Sequence, residues 1–131
     1  MSLSPEYAAF EKTYTKGEAQ VVWRRCVSDL ETPVSAYLKL AANRKNAFLL
    51  ESVEGGDRWA RWSFVGWDPM FVLTSHKGEV AIEGAPFAVD ESDPFEAMES
   101  VLAKCTVPMI PDMPPLHSGM VGFLGYDTVR Y

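Results

Sequence analysis

Three times along this chain a cap-forming side chain stands directly before a proline: Ser4-Pro5, Thr32-Pro33 and Asp93-Pro94. A Ser, Thr or Asp side chain accepts from the orphan N–H groups of a helix's first turn, and a proline at the first helical position loses nothing by lacking its own N–H. The punctuation predicts three helices and leaves the stretches between them for strands. Tyr7, Phe10 and Tyr14 recur at helical spacing after the first signal. Val34, Tyr37, Leu38 and Ala41 fall at i, i+3, i+4 and i+7 after the second. After the third, with Glu96 in the capping-box position, Phe95, Met98, Leu102 and Cys105 form one apolar stripe and predict a helix over 94–104.

Strands fill the intervals. Residues 19–27 read as a strand ending at Ser28-Asp29, and 46–52 as a compact apolar strand. The turn chemistry of Glu54-Gly55-Gly56-Asp57 joins the latter to 59–65, where Arg61 and Ser63 alternate with Ala60, Trp62 and Phe64. Asp68-Pro69 marks a break, and 70–75 and 79–83 flank Lys77-Gly78 as a hairpin. Pro108, Pro111, Pro114 and Pro115 then fix an extended linker that cannot pair centrally in a sheet. With short connections dominating, the fold class expected is α+β, a mostly antiparallel sheet with flanking helices. The closing run 119–126 interleaves Gly119, Gly122 and Gly125 with apolar residues and reads as a buried strand. A strand left at a terminus exposes ladder groups that want a partner, so residues 1–131 are expected to be one N-terminal domain of a longer protein.

A chain of 131 residues with 47% hydrophobic side chains has the composition of a folded domain. Its net charge of −6 argues against nucleic acid or an anionic membrane surface as main partner, since either calls for a basic patch. No apolar run approaches the roughly 20 residues that span a bilayer. Cys26 and Cys105 lie far apart without metal-ligand spacing and read as reduced, mostly buried thiols in a cytoplasmic protein.

Little else in the chain is legible as chemistry. His76 and His117 have no second ligand at helical or strand spacing, which favours surface or packing roles. Glu54 and Asp57, beside Gly-Gly, suit a turn better than a catalytic pair. The glycines at 119, 122 and 125 match neither the dinucleotide fingerprint nor a phosphate-binding loop. No catalytic residue is assigned. One segment stands apart: in Phe48-Leu49-Leu50-Glu51-Ser52-Val53 an acid and a hydroxyl close an apolar strand, an arrangement that suits an ammonium-bearing ligand. The other reading is that Glu51 emerges into solvent or pairs with Arg58 or Arg61 across the hairpin.

These residues carry a family resemblance. Pro33-Val-Ser-Ala-Tyr-Leu-Lys39, Phe48-Leu-Leu-Glu-Ser52, Gly56-Asp-Arg-Trp-Ala-Arg-Trp-Ser-Phe-Val-Gly66 and Ser118-Gly-Met-Val-Gly-Phe-Leu-Gly-Tyr-Asp127 stand in the order of the N-terminal region of anthranilate synthase component I, a chorismate-utilising enzyme. The resemblance implies a parent enzyme that makes anthranilate and pyruvate from chorismate and glutamine-derived ammonia. Its partner would be a glutamine amidotransferase subunit, and its cofactor magnesium. The catalytic and metal-binding residues would lie in a C-terminal domain beyond Tyr131, with no cofactor held by residues 1–131, which alone would be inactive.

The resemblance further implies that this region supplies the feedback site for tryptophan. Leu50, Glu51 and Ser52 would line it, Pro33 would stand close by, and Arg61 or Ser63 would contribute from the neighbouring strand. Two alternatives accompany this expectation. One is the related aminodeoxychorismate synthase of the folate pathway. The other is a scaffold that docks the amidotransferase and binds no small molecule.

Overall fold

The computed structural model describes residues 2–52, 62–111, 113, 114 and 116–130. Helix α1 (Tyr7–Tyr14) and helix α2 (Pro33–Leu40) precede strands β1 (Phe48–Glu51) and β2 (Ser63–Gly66). Strands β3 (Val72–His76) and β4 (Glu79–Glu83), helix α3 (Pro94–Cys105) and a 3₁₀ turn (Tyr126–Arg130) follow. The strands form two separate antiparallel ribbons, β1–β2 and β3–β4, so the architecture is α+β as expected.

Local chemistry explains the elements that match their sequence signals. Thr32 and Ser35 make a reciprocal capping box: the Ser35 N–H donates to Thr32 Oγ1 at 3.1 Å, and the Thr32 N–H to Ser35 Oγ at 2.9 Å. Asp93 Oδ1 accepts from the N–H groups of Phe95 and Glu96 at 2.7 and 3.1 Å. The β3–β4 hairpin turns through Lys77 (φ 54°) and Gly78 (φ 83°), the paired left-handed residues of a tight two-residue turn.

Other elements differ. Ser4 caps no helix; its N–H and C=O exchange 2.8 Å bonds with Trp23, and α1 begins at Tyr7 after Glu6, whose side chain makes no cap bond. Among the described residues this single Ser4–Trp23 bridge is all the ladder that residues 19–27 form. Nor is 119–126 a strand: it carries no regular pairing and runs into the 3₁₀ turn, leaving Phe123 95% exposed. Both segments have apolar strand composition, but no neighbouring strand meets them among the described residues, and composition alone makes no ladder.

Helix α3 buries a stripe rotated from the one its large side chains suggest. Pro94, Ala97 and Val101 are buried, while Phe95 and Leu102 stay substantially exposed. The loop before it is fastened by aromatic and polar contacts. Phe87 meets Phe71 edge-on at 6.1 Å, Lys104 Nζ lies 4.9 Å from the Phe87 ring centroid, and the same ammonium donates to the Ala88 carbonyl at 3.3 Å. Glu91 accepts from the Ser100 hydroxyl, which holds its carboxyl below the ordinary glutamate range and ties the loop to α3. The buried hydrophobic core among the described residues is small: Ala41, Ala97 and Val101.

Two tests follow from these contacts. In the β1–β2 ribbon Gly66 faces Phe48, and a Cβ at Gly66 would collide with Phe48 Cε1. Gly66→Ala is expected to displace that ring and cost about 1–3 kcal/mol in denaturant unfolding, and Phe48→Ala in the same chain should recover part of the loss. The second test is acid titration. Lys39 and then Ser35 hydrogen-bond the Glu31 carboxylate at the start of α2 and lower its pKa from 4.5. A lowered folded value means that the contribution to stability is present above pH 4.5 and is lost as pH falls through the folded value. An NMR titration should place the Glu31 midpoint below 4.5 and move it upward in Lys39→Ala.

Candidate functional site

The β1–β2 ribbon holds the residues singled out by the sequence. Asn46, at φ 54°, turns the chain out of the α2 connection and into β1. From there Phe48 pairs with Gly66, Leu49 with Val65, Leu50 with Phe64 and Glu51 with Ser63. The Ser52 N–H donates to the Trp62 carbonyl at 3.2 Å and carries the register one pair further. Helix α2 packs against both strands, and Pro33 stands half-buried in its first turn.

Glu51 and Ser63 are thus brought directly opposite each other, and Leu50 and Ser52 follow on the same short stretch. All four are exposed, which leaves their polar atoms accessible to a small molecule. Arg61, Glu54, Asp57 and Arg58 lie outside the described residues. Strand parity adds a point that the linear motif hides: Leu50 and Ser52 project to one face of the ribbon, Glu51 and Ser63 to the other.

Several supporting residues were not among the site candidates read from the sequence. Phe48 covers Gly66, Phe64 lies opposite Leu50, and Arg44 Nη1 donates to Asp68 Oδ2 at 2.6 Å. That ion pair joins the connection entering β1 to the connection leaving β2, 24 residues apart. No local pattern marks such a pair, although Asp68 stands in the Asp-Pro break and takes a left-handed φ of 48°.

Elsewhere, a mostly apolar cleft of about 680 Å³ opens between the N-terminal segment and the extended chain after α3. Ser4, Pro5, Trp23, Thr106, Val107 and Ile110 are among its walls, and it shares no lining residue with the ribbon. His117 Nδ1 lies 3.1 Å from the Pro114 carbonyl, a packing role, and His76 ends β3 opposite Glu79 on the surface. Cys26 is exposed rather than buried, Cys105 is half-buried, and both are free thiols. Among the described residues no three His, Cys, Asp or Glu side chains come together as a metal site, and no helix is long and apolar enough to cross a membrane.

No family model matches the sequence. Curated proteins do. The chain is 36% identical over 130 residues to anthranilate synthase component 1 of Cereibacter sphaeroides, covering 95% of this chain and 26% of that protein. It is 42% identical over 126 residues to the protein of that name from Mycolicibacterium smegmatis, covering 92% and 24%. With the Mycobacterium tuberculosis protein the identity is 46% over 114 residues, covering 83% and 22%. The similarity thus takes in nearly all of this chain, although the chain spans only about a quarter of the length of the relatives it matches. By that similarity the chain is related to a part of the anthranilate synthase component 1 proteins.

Proposed function

We propose that this chain is the N-terminal regulatory region of an anthranilate synthase component 1 and contributes the feedback site for tryptophan. The observation that carries the reading is similarity to proteins of that name over as much as 95% of the chain. The ribbon supports it chemically. A tryptophan zwitterion needs an acceptor for its ammonium, a donor for its carboxylate and an apolar slot for the indole. Glu51 with Ser63 answers the first need, and half-buried Leu49 and Val65 on the same face part of the third. Ser52 adds a hydroxyl at the strand end, Pro33 stands at the start of the helix packed on the ribbon, and Arg61 is proposed as a further contributor.

On this reading the whole enzyme is cytoplasmic and converts chorismate and ammonia, delivered by a glutamine amidotransferase subunit, into anthranilate and pyruvate. Magnesium would bind with the catalytic residues outside this chain. This chain's part is regulatory. A docking role toward the remainder of component 1 goes with it, favoured by the exposure of Val121, Phe123, Leu124, Tyr126 and Val129 on one segment. Apolar side chains in such a run are stabilised by a covering surface.

Two outcomes are expected. Residues 1–131 alone, supplied with chorismate, magnesium and ammonia, should produce no anthranilate fluorescence, because the general acids, bases and metal ligands of the reaction belong elsewhere. In the full-length enzyme, Ser52→Phe should block the ligand sterically, and Glu51→Ala should remove the counter-charge for its ammonium. The second loss corresponds to about 1–3 kcal/mol, or roughly 5- to 150-fold in the inhibitory tryptophan concentration. A tryptophan series, with each variant normalised to its own uninhibited rate, measures both. Unchanged inhibition in both variants would remove the basis for the feedback reading.

A further inference from the structure

Residues 84–93 join β4 to α3 without belonging to either, yet their burial alternates as it does along a strand. Ala85, Phe87, Val89 and Glu91 are half-buried, and the residues between them are exposed. A period of two marks an extended segment laid with one face down. No ladder goes with it: among the described residues, 84–92 exchange no backbone–backbone hydrogen bonds. We infer that residues 84–93 are a latched strap, which side chains alone hold between the β3–β4 hairpin and α3, and which opens as one unit when the latch at Lys104 is broken.

The fasteners run from one element to the other. Phe87 reaches back to the hairpin, where it meets Phe71, the residue before β3, edge-on at 6.1 Å. On its other side the same ring lies 4.9 Å from Lys104 Nζ, in the last turn of α3. That ammonium also donates to the Ala88 carbonyl at 3.3 Å, a group that a ladder would otherwise use. Further along, Glu91 accepts from the Ser100 hydroxyl and, at 3.1 Å, from the Asp90 N–H. Asp93 then caps α3 and ends the strap.

Ser100 and Lys104 are four residues apart, so both fasteners sit on one face of α3, a turn from each other. Their targets on the strap, Glu91 and Ala88, are three residues apart on extended backbone. The two contacts therefore close over one short span, and freeing either leaves the other to hold a segment with no ladder of its own. A segment with few buried contacts and no backbone pairing belongs to the low end of local stability, below the helix and the hairpin it joins. Opening it removes Phe87 from between Phe71 and Lys104 and uncouples the hairpin from α3.

Amide hydrogen exchange in the full-length enzyme, read by mass spectrometry with fragmentation to single amides, tests the strap. Lys104→Met keeps most of the stem and removes the charge, and the amides of 87–91 should then exchange roughly fivefold to tenfold faster, all by about the same factor. Ser100→Ala should accelerate the same amides together, by about threefold. Lys104→Arg keeps a cation over the ring and should stay within about twofold of the wild type. Phe87→Leu, which takes the ring from beneath the ammonium and leaves α3 unaltered, should reproduce the uniform acceleration. The amides of 97–103 and of the hairpin should hold their rates throughout. Unchanged exchange in Lys104→Met or Phe87→Leu overturns the latch. Acceleration near 88 in one variant and near 91 in the other shows piecemeal fraying, and equal acceleration within α3 shows an effect on the helix; either result overturns the strap.

Discussion

Register in a two-stranded ribbon is all or none: a slip of one residue carries every side chain to the opposite face. In this chain the pairs from Phe48–Gly66 to Glu51–Ser63, extended by the Ser52–Trp62 bond, set that register. The pairing of Glu51 with Ser63 depends on it. Were Glu51 opposite Phe64 instead, the carboxylate would share a face with an aromatic ring and no second oxygen would stand beside it. Two features oppose such a slip. Phe48 fills the space over Gly66, which no residue with a Cβ leaves open, and Arg44 binds Asp68 across the open end of the ribbon. The ion pair is exposed, so its contribution is small. The Phe48–Gly66 fit is the stronger lock because it is steric.

Helix α2 gives the ribbon a backing. Its first turn is closed by the Thr32–Ser35 box, and Pro33 presets the backbone there, so the helix starts at one defined residue. Ala41, just past its end, is among the few fully buried side chains. A small residue there lets the chain lie close as it turns toward β1, and a larger one would push the connection out and tilt the strand that follows. The position of Glu51 is in this sense set ten residues earlier.

What was legible in the sequence was local. Thr32-Pro33, Asp93-Pro94 and Lys77-Gly78 each specify their structure through hydrogen bonds and dihedrals that span four residues or fewer, and each appears as read. Ser4-Pro5 carries the same signal and fails, because Trp23 takes the backbone groups of Ser4 into a bridge. The α3 stripe was half legible. Large apolar residues advertise a buried face, but close approach selects small ones, and Ala97 and Val101 lie inside while Phe95 and Leu102 do not. At the site, the alternation around Ser63 and the acid and hydroxyl ending β1 could be read directly. The pairing that sets Glu51 against Ser63 could not, since it joins residues on different strands, and the Arg44–Asp68 contact has no local signature at all.

The distribution of apolar surface explains why local signals succeeded where strand expectations failed. Three buried hydrophobic residues among those described are few for a chain that is 47% hydrophobic, while Leu30, Phe123 and Tyr126 are each more than 90% exposed. A hairpin turn or a helix cap needs only its own residues. A central strand needs neighbours on both edges and a covering layer, and a lone two-stranded ribbon is at best marginal in water. Segments 19–27 and 119–126 have the side chains of such strands, and the described residues give them no partner beyond the one bridge at Trp23. The β1–β2 ribbon is intermediate: its register is fixed from within, while its outer edges pair with no further strand among the described residues.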